Sequence, residues 1–409
     1  MTFLRRLLCA YRGVAVFLLN TTVVFVLLNL LLYGALRWAG VVRPAPGRPP
    51  ALAPEAQEAL IRTGAAQGWF REKEPFFPKL NAEQVTALML EAYTRSFVYE
   101  PFTELRERPF HGRFVNVDEN GFRWSKGQGR WPPDRGDPSV FVFGGSTTFG
   151  YGVPDDETIP SHLRDFLVSI LGRRVWVYNF GRGYYFSSQE RALFEKLLLA
   201  GHVPEIAIFI DGLNDCYYAN GEPEWAERLR HAMTDAAAPE EHGLGTILQG
   251  LPIARSAAWL RERLAGPSGR DGGPRGQPSG GEDMTPPMRR VVTRFLGNER
   301  MIEAIGAAYG VRTVFVWQPV PTYKYDRRYH AFARGGFGRH EAAQQCYAEM
   351  ANERDQGRLG ADFVWCADIQ EHVQKPLYVD QVHYTPAMAR RVSGCIVKGM
   401  VRRGLIAKP

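Results

Sequence analysis

Short apolar runs alternate along residues 138–404 with longer segments in which apolar positions recur every three or four residues. The runs are rich in Val, Ile and aromatic residues and lack regular polar positions, which is typical of strands buried on both faces of a parallel sheet. This alternation predicts an α/β fold: a three-layer, doubly wound, mostly parallel five-stranded sheet with helices on both faces. The candidate strands are 139–143, 174–180, 205–210, 312–317 and 362–369, and the candidate helices are 157–171, 187–201, 288–309, 338–353 and 385–404.

The regular pattern is interrupted before the fourth candidate strand, over residues 216–287. Within this stretch, residues 266–287 contain seven glycines and five prolines. Such a composition cannot bury a core, because it supplies too little apolar surface to offset the ordering of the chain. It predicts a disordered surface insertion at 266–287.

Residues 13–36, GVAVFLLNTTVVFVLLNLLLYGAL, contain no charged side chain. As a helix they would extend about 36 Å, enough to cross a hydrocarbon core of about 30 Å. The alternative is a cleavable signal peptide, but the apolar part is long for one and no clear A-x-A site follows. We expect a single transmembrane anchor with a cytoplasmic arm at 1–12. Arginines flank both ends, so orientation rests on the long C-terminal part, which we place outside the cytoplasm.

Three further regions follow from composition. Residues 37–52 form a Pro-rich, extended stem, and residues 53–137 form a small, aromatic-rich α+β accessory region. Helix-like patches within that region lie near 55–66 and 82–95. The α/β domain then occupies 138–409.

Overall composition is that of a globular protein, with 45% hydrophobic and 23% charged residues. The net charge of +7 comes mostly from residues 1–50, which contain six arginines and no acidic residue. The remainder is close to neutral, which argues against a nucleic-acid partner.

Cysteine and histidine usage bears on disulfides and metals. Of the five cysteines, Cys9 lies on the short side of the anchor, and four remain for the large domain. An even number outside the cytoplasm permits disulfides, and Cys346–Cys366 is the first pairing to test. There is no C-x-x-C, and the nine histidines show no ligand spacing. We therefore expect no metal and no cofactor.

Polar, turn-forming clusters follow four of the apolar elements. In open parallel sheets the carboxyl ends of the strands meet at one edge, where ligands bind. These clusters are therefore expected to converge. They contain Ser146 after the first strand, Asn179, Gly181 and Gly183 after the second, Gly212 and Asn214 after the third, and Asp380 and His383 before the last helix.

Together these segments resemble the SGNH (GDSL-type) hydrolase superfamily, in particular its membrane-anchored bacterial members. The resemblance covers residues 138 to about 404. GGSTTFG matches the first family block, with glycine where many members have aspartate before the serine; GLND and DQVH match two later blocks. The upstream VNVDENGFR is similar to the segment that precedes the catalytic domain in anchored members. The resemblance implies an SGNH, flavodoxin-like fold.

The resemblance also implies roles that the chemistry supports. Ser146 would be the nucleophile, His383 its general base, and Asp380 would hold the imidazole in the required tautomer. The oxyanion would be bound by the N–H groups of Ser146 and Gly183 and by the Asn214 side chain. One departure stands out: counted from Asn179, the family glycine of the second block aligns with Tyr184, so Gly183 lies one residue early.

Other interpretations of these residues remain open from sequence. Ser146 could simply cap a helix, as could Asn214 and Asp215, and His383 could be a surface residue. GGSTTFG lacks the last glycine of G-x-S-x-G, because Thr148 stands there, and it lacks the lysine of a phosphate-binding loop.

The sequence thus predicts a serine esterase or acyltransferase acting through an acyl-enzyme at the inner (cytoplasmic) membrane, with its domain periplasmic or extracellular. Family and location favour short-chain O-acyl (acetyl) esters of envelope or secreted polysaccharide as substrates. The alternative is a non-hydrolytic glycan-binding or assembly protein that works with a multipass acyltransferase partner. A lost catalytic residue would favour that alternative, and none is lost here.

Overall fold

The computed structural model describes residues 2–38, 71–134, 138–226, 287–333 and 336–406. The stem beyond residue 38, the 55–66 patch and nearly all of the 266–287 insertion therefore lie outside the described residues. The large unit of the chain gathers the described residues of the accessory region and of the α/β part into one compact body.

Five parallel strands form the central sheet: β5 (Ser139–Gly144), β6 (Trp176–Gly181), β7 (Ile206–Asp211), β8 (Arg312–Trp317) and β9 (Phe363–Trp365). Their order is β6-β5-β7-β8-β9, so the chain starts near the middle, moves to one edge and then crosses to the other. This is the doubly wound α/β arrangement predicted from the sequence, and the fold class is confirmed.

Alternate residues of each strand face two chemically different layers. One face is aromatic: Phe180, Phe143, Phe209 and Phe315 stack as a row across four strands, with ring centroids 4.7–5.6 Å apart. The other face is aliphatic, with residues such as Val142, Ile208 and Val316. Every position of β5, β6 and β7 but one is buried, which explains why these strands appear in the sequence as unbroken apolar runs.

Helices cover both faces. The aromatic face packs against α5 (Ser187–Leu199), α7 (Pro287–Tyr309) and α8 (Ala343–Asp355), and the aliphatic face against α4 (Ile159–Leu171) and α9 (Pro386–Arg402). Pro near the start and a Thr side-chain N-cap begin both α4 and α9, as expected for helix starts. Two short helices follow strand ends, α3 (Ser146–Phe149) and α6 (Leu213–Tyr217).

The accessory region contributes α2 (Ala82–Tyr93) and four short strands: β1 (Phe97–Glu100), β2 (Glu104–Glu107), β3 (Phe110–His111) and β4 (Asn116–Val117). A capping box between Asn81 and Gln84 starts α2. Short 3-10 helices at Arg71–Phe76, Asp155–Glu157, Arg327–Tyr329 and Gly338–Ala342 connect other elements. The region packs Val85, Leu88 and Val115 against Phe149 of α3, so its core is shared with the α/β part.

The N-terminal segment forms one long helix, α1 (Thr2–Trp38). Within it, Tyr11–Asn29 has a mean hydropathy of 1.8, long and apolar enough to cross a membrane; a signal sequence passes the same test. Its polar side chains bond within the helix: Thr21 and Thr22 donate to the carbonyls four residues earlier, and so does Asn29.

Two disulfides join Cys216 to Cys346 and Cys366 to Cys395. The expected pairing of Cys346 with Cys366 is wrong. Cys346 lies on α8 facing α6, whereas Cys366 follows β9 and faces α9 on the other side of the sheet. Each of these two cysteines is therefore bonded to a cysteine on a helix that packs on the same face of the sheet.

Candidate active site

The nucleophile candidate lies where β5 ends. The strand stops at Gly144, Gly145 takes the N-cap position, and Ser146 is the first residue of α3. Ser146 is half-buried, and its carbonyl accepts N–H bonds from Gly150 and Tyr151, which close the turn. Because Gly145 is the cap, Ser146 is not a helix-capping serine, and its hydroxyl faces His383 instead.

The DQVH segment supplies the other two members of the predicted triad. His383 Nε2 lies 2.8 Å from Ser146 Oγ, and His383 Nδ1 lies 2.6 Å from Asp380 Oδ2. The other carboxylate oxygen, Asp380 Oδ1, accepts the N–H groups of Val382 (2.9 Å) and His383 (2.8 Å). The three-residue spacing thus folds into a tight turn in which one carboxylate holds both the backbone and the ring of the histidine.

A third donor reaches the same carboxylate from the accessory region. Tyr93, the last residue of α2, donates its hydroxyl to Asp380 Oδ2 at 2.6 Å. Burial alone would raise the pKa of Asp380, but His383 and the bonds from His383 and Tyr93 hold that pKa well below its ordinary value. Burial and the neighbouring carboxylate raise the pKa of Tyr93, so its hydroxyl stays protonated. Asp380 is therefore a permanent anion beside the imidazole.

The imidazole lies between two tyrosine rings. Tyr151 stacks on His383 with centroids 5.3 Å apart, and Tyr93 meets it edge-on at 6.0 Å. These contacts and the Asp380 bond restrict the ring to the orientation in which Nε2 points at Ser146. Sequence reasoning missed Tyr93, because it lies 287 residues from Asp380 and belongs to no motif.

Asn214 lies directly against the nucleophile turn. A Cβ atom added at Gly145 would lie 2.4 Å from Asn214 Nδ2, closer than atoms can approach. The absence of a side chain at Gly145 therefore makes room for the Asn214 amide. One hydrogen of that amide is donated to the Tyr185 carbonyl at 2.7 Å, which fixes the side chain, and Gly212, not Asn214, caps α6.

The structure corrects the expectation for Gly183. Its N–H donates to Glu107 Oε1 at 3.3 Å, so it is not presented to Ser146. Tyr184, the position that aligns with the family glycine, has a left-handed φ of 67°. That conformation is ordinarily taken by glycine, so Tyr184 holds a backbone position that disfavours a side chain. Of the three predicted oxyanion residues, Ser146 and Asn214 lie together and Gly183 is committed elsewhere.

Glu107 belongs to a buried network behind the site. Its carboxylate is fully buried, pairs with Arg95 at 3.3 Å and accepts the Tyr151 hydroxyl at 2.9 Å. The accessory region therefore sets the position of a ring that stacks on His383. Neither Arg95 nor Glu107 stands in a recognisable motif, so sequence reasoning missed both.

Arg123 ties the accessory region to the nucleophile turn itself. This fully buried guanidinium donates to the carbonyls of Phe149, Gly150 and Val153 and pairs with Asp155 at 2.8 Å. It thus donates to three backbone acceptors of the loop that leaves α3. The Phe149 and Gly150 carbonyls also accept from Asn179 Nδ2 and from the Val153 N–H, respectively.

Comparisons with known proteins give likenesses of fold alone. No protein-family model matches the chain, and no curated protein does. Similar solved structures include a member of the lipolytic protein G-D-S-L family from Veillonella parvula, at 11% identity and TM-score 0.34, covering 64% of this chain and 96% of that one. A lipase from a goat rumen metagenome shows 11% identity, TM-score 0.35, and coverage of 64% and 96%.

A third similar structure is a catalytic mutant of an acetylxylan esterase from Geobacillus stearothermophilus, at 11% identity and TM-score 0.34, covering 64% of this chain and 94% of that one. These neighbours are lipolytic hydrolases and esterases. At such identities and TM-scores they carry no argument about activity. The function must follow from the side chains described above.

Proposed function

We propose that this chain is a serine esterase or acyltransferase of SGNH type that works through an acyl-enzyme on Ser146. The observation that carries the proposal is the unbroken chain of hydrogen bonds from Ser146 through His383 to Asp380. A serine hydroxyl is a weak nucleophile until a base removes its proton, and this arrangement provides that base and its orienting anion.

In the proposed reaction, Ser146 Oγ attacks an ester carbonyl while His383 Nε2 takes the hydroxyl proton. The tetrahedral oxyanion accepts the Ser146 N–H and the second amide hydrogen of Asn214. His383 then gives its proton to the departing alcohol, leaving the acyl group on Ser146. Water completes an esterase cycle, and a sugar hydroxyl completes a transferase cycle.

For the substrate and location, we propose short-chain acyl esters of envelope or secreted polysaccharide, outside the cytoplasm. Support comes from the apolar helix α1 as a membrane anchor and from the two disulfides, which persist in oxidising compartments. The tyrosines around His383 offer flat apolar surface that suits an acetyl group or a sugar ring equally.

The test uses the full chain in detergent with an aryl acetate as substrate. Ser146→Ala and His383→Ala should each lower kcat by about 10⁴-fold or more. Ser188→Ala and His111→Ala, which change the same residue types away from the site, should retain activity. A fluorophosphonate should label the wild type and not Ser146→Ala. A second assay with a methyl glycoside as acceptor separates transfer from hydrolysis.

Absence of both turnover and labelling in folded wild-type protein would refute the proposal. The assembly role beside a multipass acyltransferase would then be the hypothesis to pursue.

A further inference from the structure

Three carboxylates meet far from the triad, at the edge of the sheet where the strands begin. Glu299 and Glu303 lie four residues apart on α7, and Asp362 immediately precedes β9. One oxygen from each lies within 4.8 Å of the others. We call these three residues the α7–β9 carboxylate cluster. Nothing in the ester chemistry uses it.

The cluster has few compensating partners among the described residues. Glu299 is only 5% exposed, and its Oε1 has no hydrogen-bond partner. Thr313 of β8 donates to Asp362 Oδ2 at 3.1 Å. Within the described ranges no lysine or arginine forms an ion pair with any of the three carboxylates. A buried carboxylate oxygen without a donor is costly, so a proton or a bound cation at this point would stabilise the cluster.

Gly360 marks the centre of the cluster. A Cβ atom there would lie 2.9 Å from Asp362 Oδ1, 3.4 Å from Glu303 Oε1 and 3.5 Å from Glu299 Oε1. Gly360 is not among the residues with positive φ, so its backbone does not require glycine. A side chain at this position would have too little room, because one oxygen from each carboxylate borders the space that it would occupy.

We infer that the α7–β9 carboxylate cluster binds a divalent cation of the Ca²⁺ class. All the ligands are hard oxygens with no nitrogen or sulfur, which disfavours zinc. Glu303 and Asp362 are half-exposed, so water can complete the six to eight oxygens that Ca²⁺ requires. Bound there, the cation joins α7 to the start of β9 and removes the repulsion among three negative charges.

Protons are the competing positive species. Burial, followed by the repulsion of Glu303 and Asp362, raises the pKa of Glu299 to about 8; burial and Asp362 raise the pKa of Glu303 to about 7. Arg300 opposes both shifts.

The experiment measures thermal unfolding of the full chain in detergent at pH 8, after chelation and after addition of CaCl₂ up to 10 mM. Calcium should raise the Tm of the wild type by about 3 °C or more at saturation. Glu303→Gln and Asp362→Asn should lose that response. The matched control is Glu349→Gln, an acidic residue of the neighbouring α8, which should keep it. Titration calorimetry of the wild type with CaCl₂ gives the affinity without relying on the variants' folding.

Three results would overturn the inference. Calorimetry could detect no binding up to 10 mM, or the Tm increase could be the same in the cluster variants as in the control. The third combines two observations at pH 8: calcium leaves the Tm of the wild type unchanged, and Glu299→Gln is more stable than the wild type after chelation. The cluster would then hold a proton and not a cation. None of these depends on esterase activity.

Discussion

Replacing Gly145 with alanine tests whether the Asn214 amide can lie beside Ser146 only because residue 145 has no side chain. The added Cβ would lie 2.4 Å from Asn214 Nδ2 and 3.0 Å from the Tyr185 carbonyl oxygen. An ordinary contact needs about 3.4 Å or more, so the amide must retreat by about 1 Å. Its bond to Tyr185, now 2.7 Å, would then be broken.

The expected loss follows from that displacement. Removing one oxyanion donor costs about 10²–10³ in kcat, and the lost Asn214–Tyr185 hydrogen bond costs about 1 kcal/mol of stability. Gly145→Ala should therefore lower kcat by about two orders of magnitude while KM and folding change little. The matched control is Gly394→Ala within α9, where the added atom meets only Phe166 at 3.8 Å and should leave both kcat and stability intact or slightly improve stability.

A double-mutant cycle decides whether the effect passes through the amide. Aryl-acetate kinetics of Gly145→Ala, Asn214→Ala and the double variant should show that the double loses little more than Asn214→Ala alone. If the fold-losses in kcat of the two single variants multiply in the double variant, the reasoning is refuted, because the alanine then acts by another route. Full activity in Gly145→Ala would refute it more simply.

Three other perturbations give further expected outcomes. Tyr93→Phe removes a hydrogen bond that orients Asp380, so kcat should fall several-fold. The carboxylate also loses a donor, so the acid limb of the kcat/KM profile should move to higher pH. Replacing Cys366 and Cys395 with serine should lower the free energy of unfolding, measured in urea, by about 2–4 kcal/mol. The disulfide joins residues 29 positions apart, and its loss frees that loop in the unfolded chain. Burial lowers the pKa of His162 to about 4, so protons bind the unfolded chain preferentially between pH 6.5 and 4. Stability should fall by up to about 3 kcal/mol as pH drops through that window, and His162→Gln should flatten the dependence; an unchanged slope would contradict this.

Much of the α/β part could be predicted because its information is local. A strand buried on both faces is visible as an apolar run, and the predicted starts of β5 and β8 agree with the structure to the residue. Asp380 and His383 are three residues apart, so one turn fixes their relation. The predicted helix at 82–95 likewise appears as Ala82–Tyr93.

What escaped prediction depends on long-range packing. Gly183 had the right residue type for an oxyanion donor, yet Glu107, 76 residues earlier, takes its N–H. Cys216 and Cys346 are separated by 130 residues, and only the layer on which each helix packs decides their pairing. Tyr93 reaches Asp380 from a helix whose sequence carries no catalytic signature. In each case the partner is set by tertiary structure, which spacing along the chain cannot reveal.

The buried Arg123 has a consequence for how this molecule can be divided. A truncated protein that begins at residue 138 would lack the Arg123 guanidinium. That group donates hydrogen bonds to the Phe149, Gly150 and Val153 carbonyls. The turn that contains Ser146 would keep its sequence but lose these hydrogen bonds. The smallest fragment that keeps these contacts therefore begins upstream of the first strand of the sheet, and a truncated protein should retain the segment containing Tyr93, Glu107 and Arg123 along with Ser146.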